Sequence, residues 1–288
     1  MNVCDEKNKK AVLITGCSSG IGYSVAKELA KRGGYRVFAT ARQQKDVDRL
    51  NAEGLESLRL DLADSNSIQF AVTELLERTG GKLFALFNNG AYGQPGAVED
   101  LSREVLREQF EINLLGTHEL TCLVLPVMRA QGEGRIIQNS SVLGLITLKF
   151  RGAYNASKFA LEGLTDTLRM ELKGSGIMVS LIEPGPITSR FRANAFAAFQ
   201  KNIDSENSPH QQLYHSVEKR LASEEGEAPF TLGPEAVLKR VIHALESEHP
   251  KARYYVTFPT YLFAFLRRIL PVGLLDRILI RTSGFENR

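Results

Sequence analysis

The chain has 288 residues, long enough for one large α/β domain with a sizeable core, and its 24% charged and 43% hydrophobic content is ordinary for a soluble globular protein. A net charge of +3, on basic residues that are spread rather than clustered, argues against nucleic acid as a partner. Cys4, Cys17 and Cys122 are odd in number, far apart and without metal-ligand spacing, which excludes a disulfide framework, gives no metal site and fits a reducing cytoplasm; residues 1–10 are polar, unlike a signal peptide, and no apolar run is long enough to span a membrane.

Ala11-Val12-Leu13-Ile14-Thr15 reads as a short buried strand. Gly16-Cys17-Ser18-Ser19-Gly20-Ile21-Gly22 follows, then a helical pattern over 23–32 stopped by Gly33-Gly34. Strand, glycine turn and helix N-terminus together bring backbone N–H groups to a phosphate. The spacing is Gly-x3-Gly-x-Gly, and three glycines at a helix start are more than one tight turn needs. The next strand, 35–40, runs toward Arg42, about twenty residues past the glycines, where dinucleotide sites for NAD carry an acid for the ribose 2′-hydroxyl. An acid would repel the 2′-phosphate of NADP, whereas a guanidinium attracts it; Arg42 therefore predicts NADP(H).

The alternation continues: a third strand over 58–62, a helix over 67–79, a fourth strand over 83–87 opening into Asn88-Asn89-Gly90-Ala91, and two helices over 102–110 and 113–130. A sixth strand, 177–182, ends in Glu183-Pro184-Gly185-Pro186, and 253–257 forms a seventh. This pattern predicts an α/β fold with a parallel sheet covered by helices on both faces, and no repeat or linker divides residues 1–288. Residues 190–230 lack a strand and are long enough for a lid; Phe196, Phe199 and Ile203 share a helical face that serves either packing or an apolar substrate pocket. Residues 258–280 read as two short amphipathic helices, with three readings open: peripheral contact with a membrane surface, core packing, or the subunit interface of a homo-oligomer.

Tyr154-Asn155-Ala156-Ser157-Lys158 places a phenol and an ammonium one helical turn apart on one face. A lysine beside a tyrosine favours the phenolate and lowers its pKa from about 10 toward the range useful for acid/base work. The chain holds a second such pair, Tyr23 and Lys27, so spacing alone does not decide. Before Tyr154, the apolar run Ile136-Ile137-Gln138-Asn139-Ser140 delivers Ser141 to the C-terminal edge of a strand, where α/β sheets place their chemistry. The equivalent position thirteen residues before Tyr23 is Lys10, at the polar start of the chain, so Tyr154 and Lys158 are the site.

With Thr15-Gly16-x3-Gly20-Ile21-Gly22, Asn88-Asn89-Gly90, Asn113, Ser141, Tyr154-x3-Lys158 and Pro184-Gly185 in this order, the chain resembles the short-chain dehydrogenase/reductase family over residues 11–257. It is most similar to the retinol and hydroxysteroid dehydrogenase branch and to bacterial NADP-dependent aldehyde reductases. The resemblance implies a seven-stranded doubly wound (Rossmann) sheet, with 11–189 as cofactor and catalytic core, 190–230 as a helical substrate lid and 258–288 as an apolar C-terminal extension. It also implies a catalytic tetrad. Ser141 would polarise a carbonyl, Tyr154 would deliver the proton, Lys158 would lower the tyrosine's pKa and bind the nicotinamide ribose, and Asn113 would bend its helix and hold a relay water. The implied cofactor set is Gly16, Ser18, Ser19, Gly20, Ile21, Gly22, Arg42, Asp61, Leu62, Asn89, Gly90, Tyr154, Lys158, Pro184, Gly185, Ile187 and Ser189. Within it Ser18 and Arg42 would meet the 2′-phosphate, Asp61 and Leu62 the adenine, and Asn89 the adenosine ribose region.

Two positions depart from the family pattern. Gly90-Ala91 exchanges the usual order of two small residues, and Ser189, preceded by Thr188, stands where the family has the threonine that meets the nicotinamide carboxamide. The expected function is NADP(H)-dependent interconversion of a lipophilic aldehyde or ketone and its alcohol. The alternative is a catalytically weak redox sensor on the same fold, which the complete tetrad disfavours.

Overall fold

Successive residues of a strand point to opposite faces of its sheet, and in this chain both faces are buried. In β1 (Lys10–Ile14), Val12 and Ile14 enter one core while Ala11 and Leu13 enter the other, which is why the run is apolar without alternation. The computed structural model describes residues 9–222 and 229–286. Cys4 and residues 1–8 of the polar N-terminal stretch lie outside the described residues, as do positions 223–228 of the segment read as a lid.

A glycine turn leads from β1 into α1 (Gly20–Arg32), followed by β2 (Tyr35–Ala41), α2 (Gln44–Ala52), β3 (Glu56–Arg59), α3 (Ser65–Thr79) and β4 (Ala85–Asn88). Then come α4 (Arg103–Phe110), α5 (Gly116–Gln131), β5 (Gly134–Asn139), α6 (Gly152–Glu171), β6 (Ile177–Glu183), α7 (Phe191–Asn202) and α8 (Gln211–Ala222). The chain closes with α9 (Glu235–Glu246), β7 (Arg253–Tyr255), α10 (Phe258–Ile269) and α11 (Val272–Glu286). The seven strands are parallel in the order β3-β2-β1-β4-β5-β6-β7, the α/β doubly wound arrangement that the sequence predicts. Val25, Leu29, Leu50 and Val241 from α1, α2 and α9 fill one face, and Ile68, Leu75, Leu120 and Val124 from α3 and α5 fill the other. Because β1 lies between β2 and β4, the winding reverses there and opens a crevice at the strands' C-terminal ends.

Several elements differ from expectation for tertiary reasons. The third strand ends at Arg59, paired with Ala41 at the end of β2, so Leu60, Asp61 and Leu62 leave the sheet for the turn capped by Asp64. The two expected helices of 102–130 run on through a π-helical turn, Glu111–Leu115. Phe199 and Ile203 are packing residues: with Tyr214 and Val217 they bury against Ala97, Leu101 and Val105, and Phe196 joins them in part. Tyr214 ties α8 down further, its hydroxyl accepting from Ala97 N at 2.8 Å and donating to Asp100. The C-terminal segment is two amphipathic helices as expected, with Phe263 and Leu279 packed on Leu143 and Ile146. Cys17 and Cys122 are free thiols, and no helix among the described residues is long and apolar enough to cross a membrane.

The start of α5 passes so close to the turn after β3 that a Cβ at Gly116 would stand 1.9 Å from the Leu62 carbonyl oxygen. Backbone on both sides cannot yield cheaply. Gly116→Ala should therefore lower stability by about 1–3 kcal/mol. Urea unfolding with an unchanged midpoint would show that the helix and turn can part without cost.

Candidate active site

The crevice is built from the end of β1 outward. The Thr15 hydroxyl accepts from the backbone N–H of Asn89 at 2.9 Å and of Gly90 at 2.8 Å. Asn89 Nδ2 returns hydrogen bonds to the carbonyls of Thr15 at 2.9 Å and Gly16 at 3.2 Å. The glycine turn is thereby clamped to the exit of β4, and the fit is close: a Cβ on Gly16 would come 2.7 Å from Gly90 Cα, and one on Gly22 2.4 Å from the Gly16 carbonyl oxygen. A Cβ on Gly90 would be tight against Leu62 and Thr15, so glycine, not alanine, precedes Ala91. Ser19 opens α1 without a side-chain cap and the first turn carries no acid, so its N–H groups and the positive end of the helix dipole are left for an anion.

Cys17 N donates to the Thr40 carbonyl at 2.7 Å, which brings the glycine turn beside the end of β2. Its thiol is buried, donates to the Ile14 carbonyl and is pushed up to about 12 by that burial, so it plays no nucleophilic part. Ser18 is half-buried and its carbonyl accepts from Arg49 Nη2 at 2.8 Å. Arg42 follows β2 on the surface; Arg59 Nε donates to its carbonyl at 3.3 Å, and no carboxylate pairs with its side chain among the described residues. Asp61 is half-buried with one carboxylate oxygen taken by Ala63 N at 3.0 Å, and Leu62 is buried beside Gly90.

Ser141 lies two residues past β5. Its hydroxyl accepts from Leu143 N at 3.1 Å, starting a short 3-10 turn, and lies close enough to the Tyr154 phenol to favour the phenolate. Lys158 is buried and donates to the Asn139 carbonyl at 2.7 Å, with its ammonium 5.7 Å from the centre of the Tyr154 ring. Here the electrostatic expectation needs correction. Burial pushes the Tyr154 phenol up to about 12, opposed by the hydrogen bond from Ser141 and the charge of Arg151, while Lys158 itself is pushed down to about 8 by burial, opposed by Glu162. Desolvation outweighs the neighbouring polar and charged groups at both.

Asn113 occupies the π-helical turn, where its helix departs from α geometry. Its side chain is committed to protein: Oδ1 accepts from Tyr92 N at 3.1 Å, and Nδ2 donates to the Tyr92 carbonyl at 2.9 Å and to Ser157 Oγ at 3.2 Å. It thus pins the segment after β4 against α6. Pro184 accepts from Val142 N at 2.8 Å, and a Cβ on Gly185 would stand 2.1 Å from Thr257 Oγ1. Ile187 bridges Leu232; Thr188 N donates to the Leu232 carbonyl at 3.0 Å, and Ser189 Oγ, near Gly20, accepts from Phe191 N at 3.4 Å. Phe191 meets Tyr154 edge-on, ring centres 5.3 Å apart. By contrast, Tyr23 and Lys27 form an exposed pair at 3.3 Å, with the Tyr23 hydroxyl donating to Glu53.

A family model described as short chain dehydrogenase matches residues 10–199. The chain belongs to the short-chain dehydrogenase/reductase family. Among its relatives is the uncharacterized oxidoreductase YbbO of Escherichia coli, 46% identical over 271 residues that cover 94% of each chain. Another is 17-beta-hydroxysteroid dehydrogenase type 1 of Homo sapiens, 34% identical and covering 86% of this chain and 78% of that one. Two solved structures are similar: a short chain dehydrogenase/reductase of Burkholderia phymatum in complex with NAD (TM-score 0.74, 25% identity, 92% and 93% covered) and the actinorhodin polyketide ketoreductase with NADPH (TM-score 0.69, 26% identity, 87% and 96% covered). The short-chain dehydrogenase described here is accordingly an NAD(P)-dependent oxidoreductase.

A group behind Lys158 escaped the sequence reading. Glu162 is one further turn along α6 and Glu183 ends β6; both are buried, and both accept from the same Arg253 nitrogen, Glu183 at 2.5 Å. Asp166, another turn along, takes the second Arg253 nitrogen at 2.5 Å and Arg169 at 2.8 Å. One oxygen of Glu162 and one of Glu183 are buried without a partner. Burial raises both carboxyls, helped by the charge of Asp166 at Glu162 and of Glu162 and Asp166 at Glu183, and opposed at both by Arg253; Glu183 is pushed up to about 8. The readable signal was the i, i+4 succession Tyr154, Lys158, Glu162, Asp166; the convergence of Glu183 and Arg253 on it was not local. An acid whose pKa is raised by folding contributes its full stability at acid pH and loses it as pH climbs from the ordinary carboxylate range through about 8. Wild type should thus lose stability between pH 5 and 9, and Glu183→Gln should lose less. Denaturant midpoints with the same pH slope in both proteins would rule out a protonated Glu183.

Proposed function

We propose that the enzyme is an NADP(H)-dependent reductase that interconverts a lipophilic aldehyde or ketone and its alcohol. The observation that carries the reading is the meeting of the Ser141 hydroxyl and the Tyr154 phenol at the crevice, with the buried Lys158 amine one turn along the same helix. The glycine turn, uncapped helix start and acid-free first turn fit a pyrophosphate. Arg42, without a carboxylate partner among the described residues, fits a 2′-phosphate. When bound, the nicotinamide supplies or accepts the hydride.

The residues of the chain do the remaining work. Ser141 and Tyr154 would donate to one substrate oxygen, so negative charge developing there meets two hydroxyl donors in a desolvated site. A phenol pushed up to about 12 is neutral and proton-bearing at neutral pH, which suits it to the reductive direction, where the reacting oxygen becomes strongly basic. Lys158, anchored on the Asn139 carbonyl, has further donors for a ribose hydroxyl. The wall around Tyr154 is apolar, with Phe191 on its ring and Leu143, Leu266 and Leu275 in the adjoining cluster, which favours a lipophilic substrate. The relative named for hydroxysteroids is consistent with that class. Thr188 and Ser189 both stay eligible for the carboxamide; Ser189 is the one beside Gly20.

Tyr154→Phe should lower kcat by about 10²- to 10⁴-fold, the usual worth of a positioned acid, while NADPH affinity stays within about twofold. A variant that keeps more than a tenth of the wild-type rate on aldehydes would remove Tyr154 from that role. Arg42→Ala should weaken NADPH by about ten- to a hundredfold, the loss of one charge-assisted hydrogen bond of roughly 1.5–3 kcal/mol, and leave NADH nearly unchanged. Arg42→Asp should reverse the preference. Titrating both cofactors checks this, and equal weakening of NADH and NADPH in Arg42→Ala would end the NADP assignment.

A further inference from the structure

Helix α10 is apolar on two sides. Its inner side buries Thr260, Phe263 and Ala264, while Phe258, Tyr261, Leu262, Phe265 and Ile269 form a second stripe facing outward. The stripe follows i, i+3, i+4, i+7, i+11, one continuous helical face. Phe265 is 59% exposed, Ile269 55% and, at the start of α11, Val272 75%, so these side chains protrude rather than line a groove. Phe230 stacks on Phe258 with ring centres 5.0 Å apart and is itself 60% exposed, widening the patch. Scattered apolar residues need no explanation, but a contiguous stripe does.

Charge distinguishes the possible occupants. Residues 257–288 carry five arginines and two acids, Asp276 and Glu286, an excess of three that equals that of the whole chain, 36 basic against 33 acidic residues. Arg267, though exposed, is held by the protein, donating to the Leu145 carbonyl and lying 4.9 Å over the Phe159 ring. Arg268, Arg277 and Arg281 are exposed and have no ion-pair partner among the described residues. In a two-fold contact between copies the patch would meet itself, and these arginines would face the same arginines with little acid to offset them. An anionic lipid surface answers both features, taking the aromatic and aliphatic stripe below the headgroups and the guanidinium groups among the phosphates.

We propose that α10 and α11 form a peripheral docking surface for anionic membranes, seated through Phe265, Ile269 and Val272 and steered by Arg268, Arg277 and Arg281. The proposal stands independently of the substrate reading, because its test involves no turnover. The full chain is mixed with vesicles of phosphatidylglycerol and phosphatidylcholine, or of phosphatidylcholine alone, and sedimented at two salt concentrations. Binding should appear on the anionic vesicles and fall with salt. Arg268→Glu with Arg277→Glu should weaken it by at least twentyfold, at about fivefold for each arginine lost. Phe265→Asp with Ile269→Asp should reduce it to background at low salt too, with thermal midpoint and NADPH affinity of the free protein retained. Absence of binding by wild type, or binding that ignores both pairs of substitutions, overturns the proposal. So does a wild-type dimer in sedimentation equilibrium that Phe265→Asp with Ile269→Asp converts to monomer, since the stripe would then be a subunit interface.

Discussion

The Thr15 hydroxyl, accepting two backbone N–H groups from the exit of β4, is the contact on which the cofactor side and the chemical side of the crevice both depend. From Asn89 the network continues: Asn139 Nδ2 donates to Asn89 Oδ1 at 2.9 Å, and the Asn139 carbonyl receives Lys158 at 2.7 Å. The turn that would cradle phosphate is therefore linked by hydrogen bonds to the lysine on α6 through the ends of three parallel strands. Each bond is worth only about 1 kcal/mol net, but a buried donor stripped of its acceptor costs about 1–3 kcal/mol. Such a network keeps its geometry because partial breakage is worse than none.

Desolvation is the second constraint, and α6 is where it acts. Tyr154, Lys158, Glu162 and Asp166 succeed one another at one-turn spacing, from the crevice toward Arg253 near the surface. Burying so many ionisable groups on one helix face would be costly if all were charged. The cluster limits that cost by raising two carboxyls and lowering the lysine, so fewer charges are held out of water near neutral pH. Arg253 then balances the three carboxyls that face it, Glu162, Asp166 and Glu183.

What could be read from the residues divides along the same line. β1, the glycine turn and the Tyr154–Lys158 pair were legible because each is a local pattern: an apolar run, three glycines at a helix start, two side chains one turn apart. The parallel sheet followed from alternation alone. The end of β3 was not legible, since Leu60 and Leu62 continue the apolar run and only the lack of a β2 partner beyond Ala41 stops the strand. The departure from α geometry at Asn113 was expected only through the family resemblance; its partner Tyr92, twenty-one positions earlier, was not legible. The direction of the Tyr154 shift was misread because a charge one turn away is visible in sequence, whereas the depth of burial around it is not. Glu183 and Arg253 escaped for the same reason: they come from separate strands and meet Glu162 only in the folded sheet.

The C-terminal helices show how the apolar and polar parts of the crevice are joined. Gly185 has no room for a side chain because Thr257 and Thr260, at the start of α10, press against the turn that also carries Pro184. That turn in turn receives Val142 N, and Val142 begins the 3-10 segment capped by Ser141. Leu143 from this segment then packs with Phe263 and Leu279 of the two terminal helices. Displacing α10 would thus move the backbone that aims the Ser141 hydroxyl. The two helices after the last strand back the segment that carries Ser141, with Tyr154 packed against the same cluster.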